Sequence, residues 1–300
     1  EKGEIAGATS SWSTKLIHGG LRYLENYDFK LVRESLKERE VIFNIAPTIT
    51  RPIPFIIPHS KKHRSAWLIK LGLFLYDNLG GKSVIPKSRS VNLSKEFINI
   101  LKSKYSKGFL YYDIQVDDKK LTKLNIEDAK KNDALILEYT KVLKVKRFED
   151  HWEIYLEDDQ IIRSKILINA SGPWINQIQN EVIKIKSKKS IRLVKGSHII
   201  TKKLYNDDVA FTLQNEDKRI IFVIPYKNNF SLIGTTEVEV NSPEQPKINQ
   251  NEIKYLLESV NYYFKKQINE DDIVETYSGI RPLIEDFKEA TNLSRDYIFD

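Results

Sequence analysis

Apolar positions recur at helical spacing through "DFKLVRESLKEREVIFNIAP", where Leu31, Val32, Leu36, Val41, Ile42 and Ile45 share a face and Pro47 closes the run. With the hydroxyl-rich opening "ATSSWSTKLIHGG" in front of it, the pattern predicts a helical region over 8–46. "RPIPFIIPHS" is extended, because its three prolines forbid helix. Residues 65–79, "SAWLIKLGLFLYDNL", read as a short apolar helix with "KKHR" before it and "GGK" after. That pattern suits a core helix. It equally suits an interfacial segment, since a basic collar beside Trp67, Phe74 and Tyr76 is what lies down on an anionic bilayer.

After a further helix over 119–134 the period changes. "KVLKVKRF" and "HWEIYLE" alternate like a hairpin, and "KILINA" is a short continuous apolar run fit for a buried parallel strand. Gly172 and Pro173 stop that run sharply, which places Ala170 to Trp174 at its carboxyl end, where open α/β sheets bind ligands. From 191 to 240, "GSHIITKKL", "VAFTLQ", "RIIFVIPY" and "FSLIGTTEVEV" alternate with turns and predict an antiparallel sheet with one face buried and one addressing a cavity. An amphipathic helix over 251–266 follows, and "IVETYSGIRPLI" reads as a strand and turn carrying Arg281. The fold class is therefore α/β (α+β), with a mostly antiparallel sheet as its second part. No internal repeat or low-complexity linker interrupts it.

Composition narrows the chemistry. The 300 residues are 41% hydrophobic and contain no cysteine, which excludes disulfides, iron–sulfur clusters and thiol catalysis. Five histidines without a tight cluster argue against a metal site. The excess of 48 Lys and Arg over 41 acids gives +7, suited to an anionic partner. The basic residues interleave with acids and no nucleic-acid module is present, so nucleic acid is not the expected partner. No signal peptide is visible, and no apolar run reaches the roughly 20 residues needed to span a bilayer. The absence of Met anywhere reads as a segment of a longer chain.

The adjacent Gly19 and Gly20 are anomalous in a helical reading, since each glycine weakens a helix by roughly 1 kcal/mol. They mark a place where something approaches the backbone closely. Ser10, Ser11, Ser13 and Thr14 just before them offer hydroxyls and free amides, a natural anion seat.

The stretches "TSSWSTKLIHGGLRYLE", "LVRESLKEREV", "GLFLYDNLG", "VDD", "NASGPW", "KGSHI", "LQNEDKRIIFVIPY", "IGTTEVE", "DDIVETYSGIRPL" and "SRDY", in this order, resemble the FAD-dependent respiratory glycerol-3-phosphate dehydrogenase family along essentially the whole chain. The resemblance implies a glycine-oxidase-like flavoprotein with a partial Rossmann-like FAD domain over 1–46, 110–180 and 270–300, and a substrate domain over 47–109 and 181–269. It implies oxidation of sn-glycerol 3-phosphate to dihydroxyacetone phosphate with electrons passed to a membrane quinone. A cytoplasmic, peripheral position on an anionic inner membrane face follows, with a homodimer of the intact parent left open.

For the cofactor, the resemblance implies Glu1 on the ribose, Thr9, Ser10, Ser11 and Ser13 as donors, and Gly19 and Gly20 as bare backbone under the flavin. Lys15 and His18 flank it, with Val142, Ala170, Gly172 and Trp174 nearby. Phosphate needs fixed positive charge, and guanidiniums hold it bidentately. Arg22, Arg281 and Arg295 are the candidates, with Tyr23, Lys195, Thr235 and Thr236 lining the same pocket. His198 and His18 are the candidate proton acceptors or orienters, alongside Arg281 in the catalytic group. Two features of the family are expected outside these residues, the Gly-rich pyrophosphate loop and a later glycine motif. The segment alone is therefore expected to hold FAD poorly. Departures from the family pattern fall at Trp12, Glu237 and Lys120. Rival readings are a related flavin amine oxidase and an inactive remnant.

Overall fold

The computed structural model describes residues 1–60, 64–185 and 190–284. Short strand β1 (Leu16–Ile17) precedes helix α1 (Phe29–Ile45), strand β2 (Thr50–His59) and helix α2 (Ala66–Leu79). Strand β3 (Arg89–Asn92), the one-turn α3 (Leu93–Glu96), β4 (Lys107–Val116) and α4 (Asp118–Lys131) follow. Then come β5 (Val142–Arg147), β6 (Trp152–Leu156), β7 (Ile161–Ser164) and the single turn α5 (Ile175–Gln177). The last part comprises β8 (Ile191–Lys202), β9 (Ala210–Gln214), β10 (Ile220–Tyr226), β11 (Phe230–Gly234), β12 (Val238–Val240), α6 (Gln250–Tyr263) and β13 (Ile273–Ile284).

Ten strands make one sheet in the order β1-β4-β2-β9-β10-β11-β8-β12, with β13 beside β8 and β3 beside β4. Every pairing is antiparallel except β2 with β9. The prolines of β2 fall at 52, 54 and 58, all of one parity, so their missing donors lie along one edge and the other edge pairs with β4 from Thr50 to His59. Alternation then divides the core. Ile56, Ile199, Phe211, Leu213 and Val223 meet α6 through Leu256, Val260 and Tyr263. Phe55, Ile57, Ile200, Ile224 and Leu232 meet α1 and α2 through Val32, Leu36, Leu73 and Tyr76 on the opposite face. The result is three layers. A separate antiparallel sheet, β5-β6-β7, has its own small core of Val145, Ile154 and Leu156.

Three sequence expectations need correction. Residues 8–46 are not one helix. Gly20 is left-handed at φ 70°, residues Leu21–Asn26 form a 3-10 turn, and Tyr27 is left-handed again at φ 59°, so α1 starts only at Phe29. "KILINA" is not a buried parallel strand. No described residue pairs with it, and Ile166 and Ile168 are 72% and 77% exposed. "IVETYSGIRPLI" contains no turn, because β13 pairs with β8 from Ile273 to Ile284 and keeps Arg281 inside a strand.

Candidate functional site

Strands β8 and β13 build the site's floor. In their register Gly279 lies opposite Gly196, Tyr277 opposite His198 and Arg281 opposite Val194. A side chain at Gly196 would begin 2.5 Å from Arg281 Nη2 and 2.6 Å from Thr235 Oγ1. Only glycine lets the guanidinium lie down across the sheet there. Arg281 Nη2 donates to Thr235 Oγ1 at 3.2 Å. One step along β8, the His198 ring is 1% exposed and stacks on Tyr277 with centroids 4.7 Å apart. Its Nε2 lies 3.0 Å from Thr14 Oγ1, and its Nδ1 is buried with no hydrogen-bond partner among the described residues. Burial, reinforced by the charges of Arg281 and Lys15, pushes the His198 pKa down to about 3. The imidazole is therefore neutral at any physiological pH. A neutral ring orients a hydroxyl well but resists taking a full proton beside two cations.

The 9–15 segment crosses this face and is tied down at each step. Thr9 Oγ1 donates to the Ile280 carbonyl at 3.1 Å, and the Ser11 hydroxyl donates to the Ala6 carbonyl. Ser13 Oγ donates to Asp118 Oδ2 at 2.7 Å, Lys15 Nζ to Asp118 Oδ1 at 2.7 Å, and Tyr277 Oη to the Ser13 carbonyl at 2.7 Å. The Lys15 ammonium also sits 5.3 Å from the Tyr277 ring centroid. The hydroxyls of Thr9, Ser11 and Ser13, expected to donate to a cofactor, are thus engaged by the protein itself. What the segment leaves for a ligand is the exposed Ser10 and the amides that open the Thr9–Ser11 turn. A cleft of about 1380 Å³ runs along the same face, lined by Trp12, Lys15, Arg51, Asp118, Tyr226 and Tyr277.

Other expected residues fall into two groups. The amino terminus of Glu1 donates to the Leu137 carbonyl at 2.9 Å, and the Glu1 carbonyl accepts from Thr140 N at 2.9 Å, two residues before Val142 opens β5. Trp174 Nε1 donates to Glu244 Oε1 at 2.5 Å under the Lys2 ammonium, 5.2 Å from the ring centroid. Gly172 is left-handed at φ 57° with no heavy atom within 4 Å of a side-chain position, and Ala170 is exposed beside it. The second group lies at the other end of the 9–23 segment. His18 is exposed and its Nδ1 accepts from Gly20 N at 3.1 Å, while Arg22 and Tyr23 are half-buried on the following turn. Arg295 lies outside the described residues.

Lys195 is a correction. Strand alternation puts it on the opposite face from His198, where Nζ is 2.8 Å from Glu252 Oε2 and donates to the Lys247 carbonyl at 2.7 Å. It faces α6, not the site, and so does Thr236, whose Oγ1 donates to Glu252 Oε1 at 2.6 Å. The sequence reading also missed Asp118 and Tyr277 as site residues. "VDD" is one of the stretches that carry the resemblance, and Tyr277, Gly279 and Arg281 share one parity along β13, so both carried a signal.

A half-buried arginine lying on a glycine floor, with open backbone at Gly172 and an unengaged turn start at Thr9, is suited to a ligand that combines a flat ring with anionic groups. Residues 1–295 match the family described as FAD dependent oxidoreductase, and the chain belongs to that family, whose cofactor is FAD. It is 43% identical over 309 residues to the D-erythritol 1-phosphate dehydrogenase of Brucella abortus, covering 100% of this chain and 61% of that protein. It is also 43% identical over 307 residues to the aerobic glycerol-3-phosphate dehydrogenase of Escherichia coli, covering 100% and 61%. Among solved structures, it superposes with a TM-score of 0.71 on the glycerol-3-phosphate dehydrogenase from Bacillus halodurans complexed with FAD, at 26% identity over 95% of this chain and 51% of that one. The chain thus spans about 61% of the length of these curated relatives.

Proposed function

We propose that this chain carries the substrate face and much of the flavin seat of a dehydrogenase that oxidises sn-glycerol 3-phosphate to dihydroxyacetone phosphate, passing electrons to a membrane quinone. The observation that carries this reading is Arg281, held flat over Gly196 against Thr235 and next to a neutral His198. A guanidinium so placed suits a phosphate dianion, with Arg22 and Arg295 as further candidates for the same charge. FAD, when bound, supplies a two-electron acceptor for the hydride from C2. Glu1, the Thr9 and Ser10 amides, Gly19, Gly20, Gly172 and Trp174 would hold it. His198 acts through Thr14, whose Oγ1 lies 3.0 Å from its Nε2. His18, whose Nδ1 accepts from Gly20, carries its proton on Nε2 and presents a donor outward.

The outer face of α2 supports docking on an anionic membrane. Trp67 and Phe74 are 66% and 63% exposed there, while Ile69, Leu73 and Tyr76 of the same helix are buried. No helix among the described residues is long and apolar enough to cross a membrane. The test is anaerobic flavin bleaching in the full-length parent, with glycerol 3-phosphate, D-erythritol 1-phosphate and amino acids compared. Fastest bleaching by glycerol 3-phosphate supports the reading. Fastest bleaching by the four-carbon phosphate assigns that substrate instead, and bleaching by amino acids alone overturns the phosphate site.

A further inference from the structure

We propose that Tyr76 is a positioning residue for the flavin, and that the buried chain Arg39–Asp113–Tyr76 fixes the Gly19–Gly20 backbone from beneath. The inference rests on the proposed flavin seat at that turn. Gly19 and Gly20 lie outside regular structure and have no side chain of their own to pack, so they lose the most freedom on ordering and need an external tie. Gly19 N donates to Tyr76 Oη at 2.7 Å. Tyr76 Oη in turn donates to Asp113 Oδ1 at 2.6 Å, which leaves its oxygen facing the glycine as acceptor. Arg39 Nη1 donates to the same Asp113 oxygen at 2.9 Å and to the Tyr112 carbonyl at 3.0 Å, and its guanidinium lies 5.5 Å from the Tyr76 ring centroid.

The chain collects one residue from each of α1, β4 and α2 and delivers a single acceptor to the loop. Each link is buried, with Arg39 6%, Asp113 3% and Tyr76 3% exposed. The directions of the Tyr76 hydroxyl and of Arg39 Nη1 are therefore set by their protein neighbours and not by water. Behind Gly19 there is no slack, since a side chain would begin 2.9 Å from Tyr76 Cε2 and closer still to Leu36. The turn is pressed on the tyrosine edge, Gly20 lies under the Tyr23 ring with both glycines buried, and the exposed His18 is the open side of the turn. An ion pair this deeply buried adds little to stability over apolar residues of the same size, and its better-attested use is to specify one arrangement.

The experiment uses the full-length parent loaded with FAD. Tyr76→Phe removes the hydroxyl that ties Gly19. Tyr111→Phe is the control, because it removes a neighbouring buried hydroxyl, bonded to Thr212 at 3.0 Å, without touching the turn. Asp113→Asn keeps an acceptor but drops the charge, and serves if Tyr76→Phe does not fold. Tyr76→Phe is expected to speed hydrogen exchange in the peptide 16–24 about tenfold, to speed FAD release by a similar factor and to shift the flavin's visible band. Asp113→Asn moves the same readouts in the same direction. Tyr111→Phe is expected to lower thermal stability comparably and to change none of the three. If Tyr76→Phe behaves as Tyr111→Phe while the parent binds FAD, the inference fails alone. If the wild-type parent takes up no flavin, the proposed function fails and the inference with it.

Discussion

Lys195→Met separates a role in the fold from a role in the substrate pocket. Its ammonium and the Glu252 carboxylate have side chains 8% and 4% exposed and lie 2.8 Å apart between β8 and α6. Removing the cation leaves a buried carboxylate that still accepts from Ser197 Oγ at 2.8 Å, Thr236 Oγ1 at 2.6 Å and Asn249 N at 2.9 Å, and it strips the Lys247 carbonyl of its donor. Breaking one side of a buried pair costs about 3–5 kcal/mol, and the surviving hydrogen bonds place this case near the lower end. For a unit of 300 residues about 3 kcal/mol lowers the melting midpoint by roughly 5 °C, and by less in the longer parent. Burial pulls the Glu252 pKa up, but bonds from Lys195, Thr236, Asn249 and Ser197 outweigh it and hold the carboxyl below its ordinary 4.5. A depressed acid contributes stability above its unfolded pKa and loses it as pH falls, so the gap between variant and wild type should narrow as pH falls below 4.5. The assay is thermal unfolding of the parent at pH 7 and pH 4, with glycerol 3-phosphate KM measured on the same samples. The double variant Lys195→Met/Glu252→Gln should recover much of the loss. An unchanged midpoint with KM raised tenfold would return Lys195 to the pocket and refute the assignment.

Arg281→Ala should raise substrate KM by at least tens of fold, about 2–4 kcal/mol, while FAD content stays near wild type; unchanged KM with intact fold removes Arg281 from the site. Because the His198 pKa is depressed to about 3, the unfolded chain takes up a proton below pH 6.5 that the folded chain refuses. Stability should then fall by roughly 1.4 kcal/mol per pH unit on acidification from that point, and His198→Asn should flatten this component of urea unfolding measured at pH 7, 6 and 5. An identical slope in the variant counts against a neutral buried histidine. Trp67→Ser with Phe74→Ser should weaken binding to anionic vesicles at least tenfold, since each exposed aromatic withdraws roughly 1.5–3 kcal/mol of burial from the bilayer; undiminished sedimentation moves the docking face elsewhere.

What could be read from sequence followed local periodicity. The apolar spacing of α2 and α6, the prolines that keep β2 extended and the alternation from β8 to β11 each have a cause within a dozen residues, and those elements appear where expected. The helix over 8–46 failed because spacing outweighed the Gly19–Gly20 pair, whose backbone requirement ends helix regardless of neighbouring apolar residues. "KILINA" failed because a buried strand is defined by partners, and apolar residues without them remain exposed. The ties that shape the site, Lys15 to Asp118, Gly19 to Tyr76 and Lys195 to Glu252, join residues far apart in the chain and leave no local trace. The Lys195 error was avoidable. It stands three residues before His198, and a strand cannot present both on one face.

That same parity explains how one strand serves two ends. On β8, Lys195 and Ser197 face α6 and enter the Glu252 network, while Gly196 and His198 face the 9–15 segment and Arg281. A slip of one residue would exchange the sets, placing an ammonium in the site and an imidazole against α6. The register is held from the α6 side. Asn249 and Glu252 form a capping box at the start of α6, which fixes the carboxylate before it reaches the sheet. Glu252 Oε1 then accepts from both Ser197 and Thr236, while Ser197 N donates to Thr236 Oγ1 at 3.0 Å. Thr236 follows Thr235, which itself receives Arg281. The polar network behind the sheet therefore sets, through two adjacent threonines, where the guanidinium in front of it can lie.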